Sequence, residues 1–200
     1  DRDFLIGFAG NDYIDGGSGK DVLRYDLDAE YGGIFGVEVN LVQQTAVDGF
    51  GDLDTVKNIY EVIGTQFDDT VLGDFSDNVL IGFAGDDNLD GNNGDDTIYG
   101  GDGDDFLSAG DGDDVIEGGA GSDSLHDDWG GNDTFSGGDG FDWLYFINKS
   151  SGVTVDVAAG TVSSHFVPPH WSDTPEQDEV DTISGIEGFG GTSFSDTYYG

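Results

Sequence analysis

GTQFDDTVL, GDFSDNVLI, GFAGDDNLD, GNNGDDTIY, GGDGDDFLS, AGDGDDVIE and GGAGSDSLH follow one another without a gap from Gly64 to His126. Each unit is nine residues long, with an acidic sixth position, an apolar eighth and, in most units, a glycine-rich start; Asn78 replaces the acid in the second. A ten-residue unit, DDWGGNDTFS (127–136), and another nonapeptide, GGDGFDWLY (137–145), continue the frame. Upstream, GFAGNDYID (7–15) and GGSGKDVLR (16–24) obey it and residues 1–6 read as the tail of one more unit, while GTSFSDTYY (191–199) reopens it near the end. A short period held this strictly predicts a solenoid in which each unit covers its neighbour.

Each position has its own task. Glycines permit positive φ and close backbone approach, so the first six residues can form a tight turn whose carbonyls face a cation. Positions seven to nine, such as Thr97, Ile98 and Tyr99, form a very short strand. The eighth-position residues Val71, Leu80, Leu89, Ile98, Leu107, Ile116, Leu125, Phe135 and Leu144 supply the core. One buried apolar residue per unit is a small return against about 1–2 kcal/mol of backbone entropy for each ordered residue. Stacking at about 4.8 Å per layer also puts Asp87, Asp105 and Asp123 in one column and Asp96 and Asp114 in another, where they repel.

Composition agrees. The chain has 200 residues, 36 of them glycine, and carries 43 acidic side chains against five basic ones, a formal charge of −38. No basic stripe exists to displace counterions from nucleic-acid phosphates, and an anionic membrane surface would repel the chain. With no cysteine, disulfides, thiolate metal sites and a cysteine nucleophile are excluded. Such acidity alone points to disorder; the periodic placement of the apolar residues argues for order. No apolar run is long enough to span a bilayer, and DRDFLIGFAG at the start lacks the regions of a secretory signal.

The nonapeptides resemble the G-G-x-G-x-D-x-U-x signature of the RTX, or hemolysin-type calcium-binding, repeat family. The resemblance covers roughly half of the chain and implies an all-β fold, a parallel β-roll or β-solenoid with two nonapeptides per coil. Calcium suits such turns, since it takes about six to eight oxygens at about 2.3–2.6 Å, whereas magnesium demands tighter octahedral geometry and zinc prefers His or Cys. Carried over residue by residue, the family pattern implies metal ligation by Asp12, Asp21, Asp69, Asp87, Asp96, Asp105, Asp114, Asp123, Asp133, Asp142 and Asp196. Backbone carbonyls near Gly10, Gly19, Gly85, Gly94, Gly100, Gly101, Gly103, Gly112, Gly119 and Gly121 would complete sites for about five to eight Ca²⁺ ions. Departures weaken some of them: Asn78 replaces an aspartate, residues 64–81 lack the inner glycines, and the extra residue near Trp129 and Gly130 disturbs the turn holding Asp133. The fifth-position acids Asp68, Asp77, Asp86, Asp95, Asp104 and Asp113 read as a solvated face. Asp86, Asn88, Asp90 and Gly91 match the start of an EF-hand loop, but Thr97 stands where its bidentate Glu is required.

Two segments interrupt the frame and resemble each other. GVEVNLVQQT (36–45) aligns with GVTVDVAAGT (152–161), and DTVKNIYEVIGT (54–65) with DTISGIEGFGGT (181–192). Their alternating valines predict strands with one buried face. The expected organisation is a β-roll end over 1–24, a β insertion over 25–63, the main calcium-binding block over 64–145, a second insertion with a Pro-rich loop over 146–190, and a new block from 191 to 200. Both insertions are expected to be wide, calcium-poor turns that continue the solenoid. The chain reads as cut from something longer, and residues 1–200 alone are expected to fray or to associate end to end.

A search for chemistry finds no H-E-x-x-H, no G-x-S-x-G and no P-loop. His126 closes a repeat, and His165 and His170 lie in HFVPPHWSDTPEQDE beside all three prolines, which reads as a protruding loop. Paired carboxylates are everywhere and so do not indicate a glycosidase, and Trp143, Tyr145 and Phe146 read as packing residues. The expectation is a non-catalytic segment that folds on extracellular Ca²⁺ within a large secreted or cell-surface bacterial protein, such as a surface layer, adhesin or fibre. Its partners would be calcium and neighbouring copies or repeats, with no nucleic acid and no membrane insertion; type I secretion is implied by the resemblance alone. The rival expectation is the calcium-dependent appendage of a secreted protease, lipase or polysaccharide epimerase or lyase. A flat face binding ice or polysaccharide would need a threonine ladder that the chain lacks.

Overall fold

The computed structural model describes residues 1–149, 152–166 and 177–199. Positions seven to nine of successive units go alternately to two facing sheets. Thr70–Leu72, Asn88–Asp90, Phe106–Ser108, Ser124–Asp127 and Trp143–Phe146 pair in parallel in one. Glu61–Ile63, Val79–Ala84, Thr97–Asp102, Val115–Gly121 and Thr134–Gly140 pair in parallel in the other. Register places each eighth position on the eighth position two units on, as in Val71, Leu89, Leu107, Leu125 and Leu144. Leu80, Ile98, Ile116 and Phe135 stack likewise across from them. All nine are at most 1 % exposed and form a single apolar layer, so the parallel β-roll expected from the repeat is the observed fold. The glycines are needed where coils touch. Gly101 and Gly103 have φ of 126° and 140°, and a Cβ on Gly103 would strike the Gly85 carbonyl one coil back.

The insertions do continue the solenoid, but through antiparallel meanders. Glu38–Asn40, Thr45–Val47 and Leu53–Lys57 pair in sequence between Tyr13–Asp15 and Thr70–Leu72 in the ten-stranded sheet. Thr154–Asp156, Thr161–Phe166 and Gln177–Ser184 do so between Thr134–Gly140 and Thr197–Tyr199 in the eleven-stranded sheet. The cause is local: Leu41–Gln44 and Val157–Gly160 are tight turns, with Gln44 and Gly160 at φ of 61° and 68°, and so short a reversal accommodates only an antiparallel neighbour. Between the insertions the strands alternate, starting at Glu61–Ile63 in one sheet and ending at Trp143–Phe146 in the other. The second meander therefore widens the sheet that faces the first. Pro168, Pro169, His170, Trp171 and Pro175 of the expected Pro-rich loop lie outside the described residues.

Candidate metal centre

The sixth-position carboxylates line the two edges where the sheets are joined, held by a ladder the repeat itself creates. Each backbone N–H at position six donates to Oδ1 of the residue one coil on: Asp69 to Asp87 at 2.8 Å, Asp87 to Asp105 at 2.8 Å, Asp105 to Asp123 at 2.9 Å and Asp123 to Asp142 at 2.8 Å. Along the other edge Asn78, Asp96 and Asp114 donate to Asp96, Asp114 and Asp133 at 2.6, 2.7 and 2.9 Å. One oxygen of each acid is thus anchored. The other, Oδ2, is buried without a hydrogen-bond partner in Asp87, Asp96, Asp105, Asp114, Asp123 and Asp142, and equally in Asp12 and Asp21. Its surroundings are oxygen-rich: a Cβ on Gly91 would lie 2.5 Å from Asp96 Oδ2 and 2.6 Å from the Ala109 carbonyl oxygen one coil on. A free carboxylate oxygen and a carbonyl converge in the same way beside Gly82, where the carbonyl belongs to Gly100, and beside Gly100, where it belongs to Gly118. Only hydrogen at Cα fits there.

Such oxygens are costly to leave ionised. Burial, first, and the neighbouring carboxylates, second, push Asp87 up to about 8, Asp96, Asp105 and Asp114 to about 7, and Asp123 to about 6. Asp142 is raised as well, chiefly by burial. A hard divalent cation fits this donor set, since it supplies the missing charge and accepts carboxylate and carbonyl oxygens together.

The other expected positions differ. In Asp69 the Thr65 N–H donates to Oδ2 at 2.6 Å, while the Thr65 hydroxyl and the Val37 N–H donate to Oδ1 at 2.9 and 2.7 Å. Asp196 repeats this with Thr192 and Val153, at 2.9, 2.8 and 3.0 Å. Both carboxylates are closed by their own turns, each of which begins with Gly-Thr. Asn78 is closed too, its Oδ1 accepting from the Asp74 N–H at 2.8 Å. Asp133 keeps its place in the ladder and also belongs, with Asp127 and Asp181, to a buried group whose ligand atoms lie within 4.8 Å of one another. Among the glycines, the carbonyls of Gly85, Gly94, Gly101, Gly103, Gly112, Gly119 and Gly121 each abut the matching glycine one coil on. The Gly10 N–H instead donates to Asp52 Oδ2 at 2.8 Å, and Gly19 has φ of 137° against the Asp1 carbonyl.

The fifth-position acids are exposed, and they too are ordered. Oδ1 of Asp68, Asp77, Asp86 and Asp95 accepts from the N–H of Asp86, Asp95, Asp104 and Asp113, at 2.9–3.1 Å. This ladder runs opposite to that of the sixth position, so each coil is clamped in both directions. Its signal is the repeated Asp-Asp pair. Sequence reasoning missed the closing threonines, Thr65 and Thr192, although both sit in the aligned Gly-Thr pairs. It also missed Asp28, Asp48, Asp54, Glu179 and Asp181 in the insertions and Asp127 at the start of the ten-residue unit, because no short period marks them.

Parallel coils joined by acid-lined turns, with free buried carboxylate oxygens facing carbonyls, define a cation-binding β-roll. The RTX calcium-binding nonapeptide repeat matches four copies, over residues 1–23, 63–98, 90–125 and 129–145, and the chain belongs to that family. RTX repeats bind calcium, are typically non-catalytic and are typical of secreted bacterial proteins. No curated protein matches the chain. Among the described residues no helix is long and apolar enough to cross a membrane.

Proposed function

We propose that this segment is a calcium-driven folding module, non-catalytic in itself, that forms a structural or adhesive part of a large secreted or cell-surface protein. The observation that carries the reading is the pair of columns of buried, unpartnered Oδ2 atoms at Asp87, Asp105, Asp123 and Asp142 and at Asp96 and Asp114. Without cations, ionised columns oppose stacking; with them, each ion joins one coil to the next. Asp87, Asp96, Asp105, Asp114, Asp123 and Asp142 hold calcium in the main block, and Asp12 and Asp21 hold it in the first, with carbonyls such as those of Gly100 and Gly118 completing the shell. Asp69 and Asp196, whose oxygens are already engaged, leave this set.

Coupling of binding to folding gives the module its use. Calcium scarcity inside a cell keeps the acidic chain extended, and external calcium, at which extracellular modules bind with Kd of about 10⁻⁴–10⁻³ M, folds it. Two insertion-bearing superunits favour a long repetitive assembly. A far-UV circular dichroism titration tests the reading: the β signal is expected to rise cooperatively with calcium and to vanish in excess chelator at neutral pH. A full β signal in chelator would refute it.

A further inference from the structure

The turn that carries Asp133 departs from its neighbours at its first residue. In the surrounding units that position is Gly82, Gly91, Gly100, Ala109, Gly118 or Gly137; here it is Asp127, in a unit one residue longer than the rest. A Cβ on Gly82, Gly100 or Gly118 would run into Oδ2 of the aspartate of its own turn, Asp87, Asp105 or Asp123. A side chain at this place is therefore aimed at the sixth-position carboxylate. The next rung comes from the second insertion: Asp133 N–H donates to Asp181 Oδ1 at 3.1 Å, and Thr182 N–H to the Asp133 carbonyl at 2.7 Å, as Thr134 N–H does to that of Asp114. Asp181 lies on Gln177–Ser184, the meander strand that pairs with Thr134–Gly140. The three aspartates so assembled each offer one oxygen within 4.8 Å of the other two.

One cation already stands beside this group, and it does not suffice. The Lys149 ammonium lies 2.7 Å from Asp127 Oδ1 and donates to Glu179 Oε2 at 2.9 Å and to the Trp129 carbonyl at 2.6 Å. Its three protons thus face three oxygens, and none is left for Asp133 or Asp181. Four buried carboxylates, those of Asp127, Asp133, Glu179 and Asp181, have this single ammonium to balance them. Oδ2 of Asp127 and Oδ2 of Asp181 are buried without a hydrogen-bond partner, in residues at most 1 % exposed. Burial, ahead of any neighbouring charge, raises all three aspartic carboxyls, that of Asp133 up to about 8. The other four basic side chains are engaged elsewhere: Arg2 pairs with Glu61 and Arg24 with Asp26, while Lys20 lies over the Tyr60 ring and Lys57 over that of Tyr13.

We infer that Asp127, Asp133 and Asp181 together hold a calcium ion where the roll meets the second insertion, in a three-carboxylate site whose first and third acids lie outside the nonapeptide pattern. The choice of calcium rests on the function proposed above, since a hard divalent ion suits an all-oxygen donor set; the need for a cation beyond Lys149 rests on the cluster itself. Crystals of the full chain grown with calcium, measured for anomalous scattering, are expected to show an ion in coordination contact with all three aspartates as well as ions between the nonapeptide turns. Ions at the turns with none at these three acids would overturn the inference and leave the function reading intact. Ions nowhere would overturn both. In solution, Asp127→Asn keeps the shape of the side chain and an oxygen for Lys149, and is expected to fold with one bound calcium fewer per chain by equilibrium dialysis. A folded variant with an unchanged count would remove Asp127 from the site and overturn the inference. Asp181→Asn, read in the same way and with the same expected loss, decides the matter should the first variant fail to fold.

Discussion

The turns from Gly82 to Tyr145 and the turns opened by Thr65 and Thr192 use an aspartate at the same sixth position and leave it in opposite states. In the first group, Asp133 apart, one carboxylate oxygen is anchored and the other is buried without a partner; in the second a threonine hydroxyl and amides close both. Both insertions keep buried acids with an unpartnered oxygen, Asp28, Asp48 and Asp54 in the first and Asp181 in the second, and only the second brings a buried cation, Lys149, against Asp127 and Glu179. Among the nonapeptide turns the closed state goes with a threonine at the second position of the unit, where the open turns carry Phe83, Asn92, Gly101, Gly110, Gly119 or Gly138.

The largest effect is expected where an internal cation is removed. Lys149→Met strands Asp127 and Glu179 in the core, and breaking a buried pair in this way costs about 3–5 kcal/mol. A denaturation midpoint in saturating calcium will fall accordingly; an unmoved midpoint would mean that these acids do not need the ammonium.

Acidity should substitute in part for calcium in the open turns. Folded and metal-free, Asp87 titrates near 8 and Asp96, Asp105 and Asp114 near 7, against about 3.9 in the unfolded chain. A carboxyl raised by folding favours the folded state fully below the unfolded value, and that advantage is lost as pH climbs to about 8. In chelator, the β signal is therefore expected to be stronger at pH 5 than at pH 8. With calcium the sign reverses, because the ion takes the ionised form, and the calcium midpoint rises by up to about tenfold for each pH unit of acidification and each proton displaced. A chelated chain more ordered at pH 8 than at pH 5 would contradict the free state of these oxygens.

The smallest effect belongs to a closed turn. Thr65→Val removes the hydroxyl that donates to Asp69 and accepts from the Phe67 N–H but keeps the amide bonds to Asp69, at a cost of about 1–2 kcal/mol in chemical denaturation. The number of bound calcium ions should not change, and a gain of one would make Asp69 a ligand.

The nine-residue period made the parallel coils, the core column from Val71 to Leu144 and the two aspartate columns legible before any coordinates, since all three follow from one spacing. What escaped were features without a period. Lys149, Asp127 and Glu179 meet only because strands far apart in sequence become neighbours, and composition says nothing of that. The reversal of Thr45–Val47 and Thr161–Phe166 depends on two short turns whose residues, Leu41–Gln44 and Val157–Gly160, carry a weak signal. The fifth-position acids read as solvated because exposure was foreseen, while the amide ladder beneath them depends on the stacking offset.

Hydrogen exchange read residue by residue, at neutral pH with calcium and again in chelator, tests the central claim most directly. With calcium, the amides that bond from coil to coil between Asp87 and Asp142 are expected to be strongly protected. In chelator they should exchange freely. Equal protection of those amides in both conditions would show that the aspartate columns hold together without a cation, and would contradict the account.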